Sequence, residues 1–129
     1  MLAIDTNVVV RYLTNDHPEQ SPRAKALIAK ADVFVSLTVL LESEWVLRSV
    51  YGFAPSQVCD ALGAFAGLPR VTIEEPAIAA KALGWVAEGL DFADALHLAK
   101  ASDCEAFVSF DQRLTKTAKA LADIKVRAP

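Results

Sequence analysis

Cysteine and histidine are scarce in this chain, two of each in 129 residues. Cys59 and Cys104 form no CxxC or Cys/His pattern, which argues against a zinc site and a disulfide framework and predicts buried free thiols in a reducing compartment. Five glycines and six prolines in a sequence 53% hydrophobic exclude a disordered chain. No apolar run is long enough to span a bilayer, and no basic leader opens the sequence, so a cytoplasmic protein with no membrane contact is expected. There is no excess of positive charge either. A net charge of −3 excludes a protein that grips nucleic acid by charge alone, but it is compatible with carboxylates neutralised by a bound cation.

What is present is a regular alternation. Residues 2–4 form an apolar run of strand character that stops at Asp5, and Val8, Val9, Tyr12 and Leu13 then recur at helical spacing. A helix over residues 18–31 would turn Ala24, Leu27, Ile28 and Ala31 to one face, with Glu19 and Arg23 paired on the other. Residues 33–36 form a second strand, and Thr38 caps a helix ending near Tyr51 and Gly52. A helix over 57–67 points Val58, Leu62 and Phe65 inward, 71–73 is a third strand, and Pro76 opens a helix ending near Gly89. Another helix follows Asp91 to about Ser102, 107–110 is a fourth strand, a last helix reaches about Asp123, and 124–126 is a fifth, edge strand. Short apolar strands alternating with helices predict one α/β domain over residues 1–129, its parallel sheet of four to five strands covered on both faces.

Most acids have an ordinary basic neighbour: Glu44 faces Arg48, Asp123 faces Lys119, and Asp103 follows Lys100. Four do not. Asp5 ends the first strand, and ligands of open α/β sheets gather beyond strand carboxyl ends; it is equally placed to cap the following helix. Glu42 has Thr38, Val39, Trp45 and Val46 as helical neighbours, a largely apolar face on which an unpaired carboxylate is costly, unless it reaches solvent near the helix N-terminus, whose dipole favours an acid. Asp94 stands three residues after Asp91, itself a natural N-cap, with no Lys or Arg in reach. Asp111 ends the fourth strand, and Ser109 projects to the same side two residues earlier. All four fall where parallel strands end or helices begin. Converging, they would repel unless protonated or bridged by cations. Oxygen donors without His or Cys select Mg2+ or Mn2+, whose chemistry suits phosphodiester hydrolysis.

The ordered set Ile4-Asp5-Thr6-Asn7, Leu41-Glu42-Ser43-Glu44-Trp45-Val46-Leu47, Asp91-Phe92-Ala93-Asp94-Ala95-Leu96-His97 and Val108-Ser109-Phe110-Asp111 resembles the PIN-domain family, and within it the VapC-type toxins. The resemblance spans the chain. It implies a three-layer α/β/α fold and a metal-dependent endoribonuclease acting on tRNA or rRNA. By position it makes Asp5, Glu42, Asp94 and Asp111 the catalytic carboxylates that hold Mg2+ or Mn2+. Glu42 takes this place over Glu44, being the acid three residues before Trp45. Thr6, Asn7, Asp91 and Ser109 are implied as supporting groups, and a homodimer held in check by a VapB-type antitoxin as the assembly. Arg11, Arg48, Arg113 and Lys116 are the candidate RNA contacts, chosen for proximity to the acidic motifs.

Two other classes fit less well. A phospho-accepting signalling domain shares the length, the α/β alternation and a strand-end Asp, but it wants adjacent acids after strand one and an acceptor Asp after the middle strand. Here Asp5 has no acidic neighbour, and residues 71–73 lead to Glu74-Glu75. A non-catalytic module on the same scaffold has no need of the intact acidic quartet.

Overall fold

The computed structural model describes residues 1–121 and 123–129. They form two compact units, Met1–Pro76 and Ala77–Pro129. The first contains β1 (Leu2–Ala3), α1 (Thr6–Thr14), α2 (Gln20–Lys30), β2 (Val33–Val35), α3 (Leu37–Ser49), α4 (Pro55–Ala66) and β3 (Val71–Ile73). From Pro76 onward come α5 (Pro76–Ala87), α6 (Phe92–Lys100), β4 (Phe107–Val108), α7 (Gln112–Leu121) and β5 (Val126–Arg127).

In the first unit β1, β2 and β3 pair in that order, all parallel, with Leu2 opposite Val33 and Val33 opposite Val71. Val33, Val35, Val71 and Ile73 are buried while Thr72 is exposed, the alternation of side chains along a pleated strand. β1 is an edge strand whose Leu2 is exposed; only Ile4, which continues the ladder through its N–H to the Phe34 carbonyl (3.0 Å), is buried. Helices α1 and α2 pack together and α3 packs on α1 and α4. Their inward residues include Val9, Leu40, Leu47, Val58, Leu62 and Phe65, and Tyr12 meets Phe65 edge-to-face at 5.5 Å.

In the second unit β4 and β5 are parallel, Phe107 opposite Val126. Among the described residues, five parallel strands and seven helices confirm the α/β class. The strands form ladders of three and two where one sheet of four to five was expected.

Helix ends follow local chemistry. Ser36, not Thr38, caps α3, its Oγ accepting from the Val39 N–H at 3.2 Å. Ahead of α2, whose N-cap is Glu19, His17 Nδ1 accepts from the N–H groups of Gln20 (2.9 Å) and Glu19 (3.3 Å), and the helix starts at Gln20, two residues later than expected. Asn15, at φ 52°, closes α1 in the left-handed region that Asn tolerates.

Several expected pairings are replaced. No ion pair joins Glu19 to Arg23 among the described residues, and Asp123 pairs with Lys81 (2.8 Å), not Lys119. The expected end of the last helix near Asp123 runs through Ala122, outside the described residues. Glu44 and Arg48 do pair, at 3.0 Å, but not on a solvated face: Glu44 is 4% exposed. The cysteines depart from the expectation of buried thiols. Cys59 is half-buried and Cys104, in the turns after α6, is exposed. Helical periodicity predicts which face turns inward, but it carries no information on residues just past a helix end.

The core predicts an asymmetry between two aromatics. Phe65 is 1% exposed and Trp45 is 53% exposed. Phe65→Ala should cost about 3–5 kcal/mol in denaturant unfolding, whereas Trp45→Ala should stay within about 0.5 kcal/mol.

Candidate functional site

The first unit brings Asp5 and Glu42 to a common residue. Asp5 is the N-cap of α1, its Oδ1 accepting from the Thr6 N–H at 2.8 Å. The Thr6 hydroxyl donates to Glu42 Oε1. Thr6 is 5% exposed, so its two donors, one from backbone and one from side chain, are fixed by packing. Glu42 itself is exposed, so of the two readings of this carboxylate the one that reaches solvent holds: Trp45, its helical neighbour, also faces outward. Glu44 is committed to Arg48, whose Nε and Nη2 reach its two oxygens at 3.0 and 3.4 Å. The two glutamates of α3 therefore have separate duties.

A further acid at the carboxyl end of this sheet escaped the sequence reading. Glu74, first after β3, accepts the Leu37 N–H through Oε1 at 2.8 Å and so holds the start of α3. Its only signal in the sequence was its position after an apolar strand.

In the second unit Asp91 caps α6 by accepting the Asp94 N–H at 3.3 Å. Burial holds the Asp94 carboxyl above the ordinary aspartate range, the negative charges of Asp91 and Asp111 push it the same way, and His97 opposes them. These acids are thus electrostatically coupled. Ser109 does not bond to the Asp111 carboxylate; its Oγ accepts the Asp111 backbone N–H at 3.0 Å. Asp111 Oδ1 in turn accepts from Leu114 at 3.1 Å and caps α7. Capping and an exposed position coexist at Asp111, as capping does at Asp5 and Asp91.

The candidate RNA contacts divide. Arg11 is engaged with Gln20 Oε1 (2.8 Å), Tyr51 Oη (3.1 Å) and Asp16 (3.7 Å), and Arg48 with Glu44. Arg113 and Lys116 are exposed on α7. Asn7 lines a groove of about 440 Å3 with Arg11, Gln20 and Arg23.

In each unit the donor chemistry suits a hard cation, being carboxylate and hydroxyl oxygen only. Among the described residues, no group of three or more acidic, His or Cys side chains is arranged to hold a metal ion. No helix among them is long and apolar enough to cross a membrane.

The PIN domain family model matches residues 2–120, across both units, and the chain belongs to that family. No curated protein matches it. Among solved structures it is similar to VapC20 of Mycobacterium tuberculosis, described as a sarcin-ricin-loop-cleaving toxin, at 19% identity and a TM-score of 0.44, covering 97% of this chain and 99% of that one.

Two measurements test the acids. Thr6→Val removes the hydroxyl donor with little change of shape; it should cost about 1 kcal/mol in unfolding free energy, and Thr6→Ser should restore most of it. Asp94 binds its proton more tightly folded than unfolded, so its contribution favours the fold below the ordinary value of 3.8 and turns unfavourable as pH rises through the raised one. Asp94→Asn should therefore raise the melting temperature at pH 7 without divalent cations, by the equivalent of a few tenths of a kcal/mol for so open a group. That gain should fade below about pH 4, where Asp is itself protonated.

Proposed function

We propose that residues 1–129 act as one metal-dependent endoribonuclease domain, the VapC-type toxin of a toxin–antitoxin pair, working in the cytoplasm on tRNA or rRNA. The observation that carries this reading is Thr6, whose backbone and hydroxyl donors hold Asp5 and Glu42 while Arg48 occupies Glu44. The ordered acidic motifs and membership of the PIN family support joining Asp5 and Glu42 with Asp94 and Asp111 as the residues that hold Mg2+ or Mn2+. When bound, the cation supplies Lewis acidity, acidifying a water for attack on phosphorus and offsetting charge on the leaving oxygen.

The chain's own residues do the positioning. The Thr6 hydroxyl fixes one Glu42 oxygen and leaves the other free to accept. Asp5 and Asp111 each use one oxygen as a cap, which sets the direction of the second. Asp94, with its proton affinity raised by burial and then by neighbouring acids, would gain from a cation that relieves the repulsion. Arg113 and Lys116, both exposed, take RNA phosphates in this reading. A homodimer and a VapB-type antitoxin complete the proposal, the antitoxin presenting an Arg or Lys to the carboxylates.

Purified protein with Mg2+ or Mn2+ should cut RNA to fragments bearing a 3′-hydroxyl, and EDTA should stop it. Asp5→Asn and Asp94→Asn should each lower the rate about a thousandfold, the equivalent of several kcal/mol of lost charge stabilisation, while Asp103→Asn leaves it unchanged. Cleavage that survives EDTA, or persists in both variants, overturns the reading. Failure to bind Mn2+ in a calorimetric titration would leave a non-catalytic PIN module.

A further inference from the structure

Phe110 has no place in the fold or in the acidic site, yet it is 87% exposed immediately before Asp111. Its backbone is held on both sides: the Ser109 N–H donates to the Arg127 carbonyl at 3.0 Å, and the Asp111 N–H donates to Ser109 Oγ. The ring is thus presented from a fixed frame. With Gln112, Thr115, Lys116 and Lys119 it lines a groove of about 330 Å3, and the spacing of those four residues puts them on one face of α7.

We propose that this groove is a single-stranded RNA subsite in which an unpaired base stacks on Phe110 and Lys116 and Lys119 hold the adjoining phosphates. The inference rests on the ribonuclease reading for its ligand. A lone exposed aromatic is ordinary, but the chemistry around this one favours RNA over protein. Two of its groove neighbours are lysines, three carry hydroxyl or amide groups and one, Ala128, is apolar, whereas the centre of a protein interface is depleted in Lys and rich in apolar side chains. Charge is also distributed to suit. The chain is net −3, yet residues 112–129 contain Arg113, Lys116, Lys119, Lys125 and Arg127 against the single acid Asp123, which is already paired with Lys81. No ion pair among the described residues engages Arg113, Lys116 or Lys119. A base in a duplex has both faces covered, so an aromatic platform selects unpaired nucleotides.

The test titrates a fluorescein-labelled single-stranded RNA of mixed sequence with the full chain in EDTA, followed by anisotropy, so that cleavage does not interfere. Phe110→Ala should weaken binding about 5- to 100-fold, Phe110→Trp should preserve it, and Phe110→Leu should behave as the alanine variant. An RNA with abasic nucleotides should bind wild type and Phe110→Ala alike. Lys116→Gln and Lys119→Gln should weaken both RNAs equally and flatten the salt dependence. Unchanged melting curves check that the Phe110 variants fold.

Wild-type affinity in Phe110→Ala or in Phe110→Leu, or no binding of single-stranded RNA by wild type, overturns the proposal. A Phe110→Ala change in sedimentation with RNA binding intact assigns the residue to a protein contact and overturns it too. Parallel assays with Mg2+ separate the two readings. Phe110-dependent binding without cleavage defeats the nuclease and leaves the subsite. Cleavage at the wild-type rate and affinity in Phe110→Ala does the reverse.

Discussion

Thr6 is the residue on which the acidic arrangement of the first unit depends. It is buried where a strand ends and a helix begins, and it spends its two donors on two carboxylates, its chain neighbour Asp5 and Glu42, which lies 36 positions further on. A hydrogen bond from a fixed, buried donor to an exposed carboxylate orders a side chain that would otherwise sample many rotamers. The same geometry separates Glu42 from Glu44. One glutamate is oriented at the surface, and the other is folded inward onto Arg48.

Helix capping and ligand binding are compatible uses of one carboxylate, because an ionised Asp has two oxygens and several acceptor directions. Asp5, Asp91 and Asp111 each give one oxygen to the first turn of a helix. The positive end of the helix steadies the negative charge, and the bond fixes where the remaining oxygen points. Asp94 differs. It sits inside the first turn of α6, where burial and then the negative charges of Asp91 and Asp111 raise its proton affinity and His97 opposes them.

The fold was legible to different depths in different places. β3 and the inward residues of α4 lie where periodicity placed them, since burial of one face is imprinted on spacing. The start of α2 was missed because its first N–H is taken by a histidine ring nitrogen three residues back, outside the usual Ser, Thr, Asp and Asn caps. The Asp123 partner was missed because Lys81 lies on another helix, and local spacing sees only residues three or four apart. Phe110 was read as the last residue of an apolar strand; β4 stops at Val108, and past that point the alternation of strand faces no longer governs where a ring points.

By itself the sequence determined the α/β class, the order of elements and the identity of the acids left without a nearby base, because helix and strand periods, caps and i,i+4 pairs are all short-range. Tertiary structure alone decided that Glu42 is exposed and tied to Thr6, that Glu44 is buried on Arg48, that Glu74 holds the start of α3, and that Phe110 stands in solvent beside lysines. Each of those outcomes depends on which elements pack together, and the free energy that decides it is shared among residues far apart in the chain.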